Sequence, residues 1–278
     1  DVTAVTDFSE LLKDLSNFNE DLTGWDTSSV TDMRYTLAEA DSFNRPVNLD
    51  TGSVTDMYEM FQGADAFDQP LDLSTGSVTD MGAMFFYAVD FNGALHLDTS
   101  SVTSTGFMFQ NTPVFNQPVH FDTSSVNSMV SMFYNGASAF NQPLDFDVSS
   151  VTDMTSMFLY HDLSDCNKRL IEDSLSASTA WAAAGYDWSG LTCFIPSDNA
   201  ELKAMLTAWN ADATAAAATY GAVGTWDVTA VADFSALLQD LSNFNEDCTG
   251  WDTITVLNLD VMFFSPSSFN CPLAFDTS

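Results

Sequence analysis

Two histidines occupy matching positions 24 residues apart, His96 in Leu95-His96-Leu97 and His120 in Val119-His120-Phe121. Asp72 precedes the pair in the same slot, and Asp145 follows it. If these positions stack, neighbouring imidazoles would lie about 5 Å apart. Flanked by the two carboxylates, they could hold a transition metal. The competing reading is a polar outer strand face. His161 carries no comparable pattern.

A second constellation is more extensive. Thr27, Thr51, Thr75, Thr99 and Thr123 recur at one position, and Ser29, Ser53, Ser77, Ser101, Ser125 and Ser150 recur two residues later. A flat Thr-x-Ser array could order water and bind ice. The same residues also suit a hydrogen-bonded turn. Asp26, Asp50, Asp98, Asp122 and Asp147 recur beside them. Capping the turn is their expected role, with loose Ca²⁺ binding between modules as the alternative. No EF-hand loop, phosphate loop, H-E-x-x-H, G-x-S-x-G or Cys/His dyad is present, so no enzyme is expected.

The four cysteines are Cys166, Cys193, Cys248 and Cys271. An even number without a CxxC favours disulfides over zinc. Cys166 and Cys193 bracket one segment and are expected to pair. Cys248 and Cys271 fall in adjacent repeat units, two slots out of register. Straight strands would hold their Cα atoms about 8 Å apart, beyond normal disulfide reach. A loop could close that gap, and they form the second expected pair. Disulfides imply an oxidising, extracellular setting.

The elements that must position these residues follow from a repeat. Phe18, Phe43, Phe67, Phe91, Phe115 and Phe140 lie 24 or 25 residues apart. Each opens a variant of Phe-Asn-Gln-Pro-Leu-x-Phe-Asp-Thr-Ser-Ser-Val-Thr-Asp-Met-x-x-Met-Phe. Alternation at Leu71-Asp72-Leu73, Leu95–Leu97 and Val119–Phe121 predicts short strands. The Asp/Thr/Ser run after each predicts a turn. Met57, Met60 and Phe61, at i, i+3 and i+4, predict a short helix, with Thr55 as N-cap and Gly63 as stop. One unit cannot shelter its apolar face alone, so stacked copies must share a core. Val30, Val54, Val78, Val102, Val126 and Val151 would form one internal column, and Met60, Met84, Met108, Met132 and Met157 another. Six units would extend on the order of 30 Å.

The pattern breaks after Phe158. Leu163–Leu175 and Asn199–Asn210 read as helices. Residues 1–162 are the expected first array, 163–196 its C-terminal cap, 197–226 the N-terminal cap of the next module, and 227–278 the start of a second array. Residues 1–25 and 227–251 agree at 21 of 25 positions, at an offset of 226. Beginning inside a motif without an initiator Met, the sequence reads as one period, with overlap, of a longer tandem protein.

The segment Trp25-Asp26-Thr27-Ser28-Ser29-Val30-Thr31-Asp32-Met33, with Met60-Phe61 and Phe140-Asn141-Gln142-Pro143-Leu144, resembles the BspA-type bacterial surface-protein repeat, found also in mycoplasma lipoproteins and marine microbial eukaryotes. The resemblance spans residues 18–162 and 227–278. Thr36-Leu37 in place of Met-Phe and Ser104-Thr105 in place of Asp-Met depart from it. It implies a leucine-rich-repeat-like solenoid, and with the helical segments read above the expected fold is an α/β solenoid with helical caps between arrays. It also implies a secreted or surface-exposed protein, and no catalytic residues.

Charge bounds the partners. The 39 acidic residues outnumber the 6 basic ones, for a net charge of −33. Such a surface repels nucleic acid and anionic lipid and suits an ion-rich medium. No segment is long and apolar enough for membrane insertion. The expected role is an extracellular structural module of a fibre, filament or surface coat. Its partners would be neighbouring modules or copies of itself. The alternatives are an adhesin for glycans or surface proteins, and an ice binder.

Overall fold

The computed structural model describes residues 5–135, 139–191, 193–221, 223–246, 248 and 251–264. The Cys271 half of the second expected disulfide lies outside these residues. The chain divides into two compact units. The first contains the chain through Leu163 together with Ile171–Asp187. The second contains Ser164–Leu170 and the chain from Trp188 onward.

The first unit is a repeat fold of coils stacked in register. Parallel bridges link Asp7 to Asp32, Asp32 to Asp56, Asp56 to Asp80, Asp80 to Ser104, Ser104 to Ser128, and Ser128 to Asp153. Strands β1 (Leu71–Leu73) and β2 (Leu95–Leu97) pair in parallel, with Leu71 opposite Leu95, Asp72 opposite His96 and Leu73 opposite Leu97. Val119–Phe121 keeps the in-out-in alternation without joining this sheet.

The short helix expected in each unit is not formed. Met57, Glu59, Phe61 and Gly63 instead donate their amides to Asp80, Gly82, Met84 and Phe86 of the next coil, at 2.8–3.0 Å. The amides between them close i→i+3 turns, Met60 onto Met57 and Gln62 onto Glu59. An α-helix would need every amide directed at i−4. Here half of them are spent between coils. Glu59 and Gly63 take φ of 54° and 63°, and Ala83 and Tyr87 repeat this at 52° and 60°. These left-handed residues break helical continuation, at about 1 kcal/mol each where a Cβ is present. The side-chain pattern survives the change, because Met57, Met60 and Phe61 are all fully buried. The Thr55 hydroxyl likewise bonds to the Thr31 carbonyl of the preceding coil (3.1 Å) and does not cap a helix.

The core is a double aromatic ladder. Phe43, Phe67, Phe91, Phe115 and Phe140 stack with centroids 5.8–6.0 Å apart. Phe61, Phe85, Phe109, Phe133 and Phe158 stack beside them at 5.5–5.7 Å. Rungs between the columns close to 4.0–4.4 Å. Offset stacking contributes about 0.5–1.5 kcal/mol per pair beyond area burial. The Val and Met columns lie buried alongside. Asparagine fixes the coil edge: Asn92 Oδ1 accepts the amide of Asn116, and Asn116 Oδ1 accepts that of Asn141 (both 2.8 Å).

Helix α1 spans Asp165–Leu175, with the Ser164 hydroxyl accepting from Asn167 N–H. Helix α2 (Thr179–Ala184) starts at Ser178 and stops at left-handed Gly185. In the first unit Trp181 is buried against Tyr186 and Phe158, and its indole donates to Glu172 (3.0 Å).

The second unit holds helices α3 (Asn199–Ala211) and α4 (Ala213–Tyr220), capped by Asp198 and Asp212. Leu202, Met205, Leu206 and Trp209 of α3 share one buried cluster with Val231, Phe234, Leu237, Leu238 and Leu241. Beyond them the coil pattern resumes, with Asp233 bridged in parallel to Asn258.

Candidate functional site

Asp72 and His96 are register partners with exposed side chains, because the alternation of β1 and β2 turns Leu71, Leu73, Leu95 and Leu97 toward the core. His120 is exposed as well. Asp145 accepts a hydrogen bond from the Ser174 hydroxyl at 3.5 Å, the outer limit for such a bond. Among the described residues, no three His, Cys, Asp or Glu side chains converge on a point that would hold a metal ion.

The threonine column, read either as an ice-facing array or as a hydrogen-bonded turn, faces into the stack. Thr27, Thr51, Thr75, Thr99 and Thr123 are buried. Each hydroxyl donates to a carbonyl of the next coil: Asp50, Ser74, Asp98, Asp122 and Asp147, at 2.8–3.0 Å. A hydroxyl used this way inside the stack is not available to order water outside it. The serines two residues on also bond between coils, Ser77 to Gly52 and Ser101 to Gly76, from the opposite direction.

The recurrent aspartates fix the turns. Asp98 accepts from the amide and the hydroxyl of Ser100 (3.0 and 2.7 Å), and Asp122 does the same with Ser124 (3.0 and 2.6 Å). Side-chain and then backbone donation hold both carboxyls below the ordinary aspartate value. Asp26 and Asp147 are lowered by the same two kinds of donor.

A second aspartate column was legible only as a motif, the Asp of Thr-Asp-Met. Asp7, Asp32, Asp56 and Asp80 sit on successive bridges, each accepting the amide two residues ahead. Arg34 spans two of them, 2.6 Å from Asp32 and 3.7 Å from Asp56. Asp80 lies beyond its reach. Burial raises the Asp80 carboxyl, the Gly82 amide partly opposes this, and Asp56 adds repulsion. Repeated Asp at this slot signalled a stack of carboxylates, but the reach of Arg34 depends on coil spacing that the sequence does not display.

Cys166 and Cys193 form a disulfide with Cα atoms 4.4 Å apart. Cys248 is buried in the core of the second unit, its Sγ 3.5 Å from the Glu246 carbonyl. No described helix is long and apolar enough to cross a membrane.

No curated protein and no solved structure matches the chain. A family match falls on residues 1–96, 72–172 and 201–278, so the similarity recurs along the sequence and takes in most of it. The chain therefore belongs to the family described as Mycoplasma protein of unknown function, DUF285.

Proposed function

We propose that the chain is a structural module of an extracellular fibre, filament or surface coat, built as a BspA-like, leucine-rich-repeat-type solenoid with helical caps. The observation that carries this reading is the coil-to-coil ladder. It runs through successive bridges from Asp7 to Asp153 and resumes between Asp233 and Asn258. A ladder of this kind gains stability with each added coil and sets no intrinsic length. The Cys166–Cys193 disulfide supports an oxidising compartment. The net charge of −33 supports an ion-rich medium in which self-repulsion is screened. Adjoining modules or further copies are the partners, and the module has no catalytic role. Electron microscopy of the native assembly should show elongated particles with a regular repeat. Isolated globular particles alone would remove the reading.

A second reading is adhesion, favoured by exposed aromatic side chains in the first unit, Tyr87, Phe107 and Tyr160. Rings of this kind suit sugar faces or an apolar protein patch. Saturable binding on a glycan array, lost in Tyr160→Ala, would support it. Unchanged binding in that variant would count against this surface.

A further inference from the structure

The chain carries nearly the same coil twice, in two different settings. Residues 5–18 correspond to 231–244, and of these only Thr6, Glu10 and Lys13 differ, from Ala232, Ala236 and Gln239. In the second unit this coil is covered. Val231, Leu237 and Leu241 are 1%, 0% and 4% exposed, within the cluster that includes Leu202, Met205, Leu206 and Trp209 of α3. In the first unit the matching Val5, Leu11 and Leu15 are 40%, 47% and 46% exposed.

The polar edge tells the same story. Asn199 Nδ2 of α3 donates to the Asp233 and Ser235 carbonyls, both at 3.0 Å. Lys203 Nζ donates to the Ala236 carbonyl, and Asn210 Oδ1 accepts the Asn243 amide at 2.8 Å. The counterparts are Asp7, Ser9, Glu10 and Asn17. Among the described residues, no donor reaches the Asp7 or Ser9 carbonyl, and the Asn17 amide meets no acceptor.

We infer that the face formed by Val5, Leu11, Leu15 and the Asp7–Ser9 edge is a docking site for a helical cap of α3 chemistry. The occupant is an amphipathic segment with Asn at its first position, Lys four residues later, and apolar residues at the spacing of Leu202, Met205, Leu206 and Trp209. Its apolar face covers the two exposed leucines. Its Asn and Lys complete the carbonyl edge, as α3 does on the matching coil. Glu10, in place of Ala236, adds a carboxylate acceptor for the lysine. The inference rests on the internal comparison alone, so loss of the fibre reading would leave it standing.

The test titrates the full chain with a peptide spanning Ser197–Trp226, followed by fluorescence anisotropy and amide exchange. The expected result is saturable one-to-one binding, with new protection confined to residues 7–18 and a gain in peptide helicity. Leu11→Glu with Leu15→Glu alters only exposed side chains and should abolish binding. Trp209→Ala in the peptide should weaken it by at least about tenfold, as for a buried aromatic anchor. Three results would overturn the inference: no saturable binding at about 100 µM, binding that survives the double variant, or protection confined to the second unit. Self-association of the chain that the peptide fails to compete would also overturn it, by assigning the face to a second copy.

Discussion

Replacing Thr75 with valine isolates the interaction that the buried threonine column repeats between coils. Thr75 is fully buried, and its hydroxyl lies 2.8 Å from the Asp98 carbonyl. Among the described residues, no other donor reaches that oxygen. Valine preserves the shape and removes the donor. Leaving a buried carbonyl unpaired costs about 1–3 kcal/mol. Asp98 lies at the exposed end of the turn, so water can partly compensate and the low end applies. Exchanging hydroxyl for methyl returns a fraction of the roughly 0.8 kcal/mol that a buried CH₂ contributes. The net expectation is a loss of about 1 kcal/mol. Thr75→Ser, which keeps the bond and loses a methyl, should cost a similar amount through packing. Thr75→Ala should cost about the sum of the two. Urea unfolding at constant m-value measures all three, and amide exchange at Val78 localises the change. A valine variant as stable as the parent, beside a weakened serine variant, would refute the reasoning and reduce the column to packing.

Gly93→Ala should cost about 1–3 kcal/mol, because an added Cβ would meet the Gln69 carbonyl oxygen at 2.3 Å, a backbone atom that cannot swing aside. Gly190→Ala, with nothing within 4 Å of its Cβ, serves as the neutral control in the same thermal melt. Cys166→Ser with Cys193→Ser opens a link across 27 residues and should destabilise the second unit by about 3.5 kcal/mol on the chain-entropy account, read by amide exchange there. Acid should act on Asp98 and Asp122 with one sign and on Asp80 with the other. Asp98 and Asp122 titrate lower in the folded chain than in the unfolded one, so their contribution is present above the ordinary value near 3.8 and is lost as pH falls through their folded values. Asp80 titrates higher when folded, so its charge opposes folding at neutral pH and the opposition fades as pH falls through its raised value. Asp80→Asn should therefore stabilise the chain at pH 7 and lose that advantage in acid. The variant keeps an acceptor for the Gly82 amide, and Asn258 already holds the equivalent bridge in the second unit.

Much of this architecture is written in the spacing of the residues. The Val, Met and Phe columns lie buried along the repeat, and the alternations at Leu71–Leu73 and Leu95–Leu97 pair in the register the repeat implies. The segments read as helices at 163–175 and 199–210 form α1 (Asp165–Leu175) and α3 (Asn199–Ala211), with Ser164 and Asp198 accepting amides at their starts. The segment Met57–Phe61 misled for a definite reason. An i, i+3, i+4 apolar pattern marks any backbone that turns inward with that rhythm, and a run of i→i+3 turns shares it with a helix. What separates the two is the destination of the alternate amides. Those of Met57, Glu59 and Phe61 end on residues 23 positions away, in the next coil. Thr75 left two roles open in the sequence, since Thr in a turn suits water and a backbone carbonyl equally well. Val231 and Leu237 are covered in a cluster with α3 residues while the matching Val5 and Leu11 are bare, a difference that their near-identical sequences do not display.

The alternating amides also determine how the array should yield to tension. Every coil is held to its neighbour by short rungs such as Met57 to Asp80 and Glu59 to Gly82. Traction on the first coil loads these one after another, as in peeling tape, and the ladder lacks the simultaneous shear that makes some domains rupture abruptly. Single-molecule extension should therefore give a low plateau with small, even steps. Each step should release one turn of 24 or 25 residues, about 80 Å of contour. Such an array should lengthen gradually under load and rewind when released.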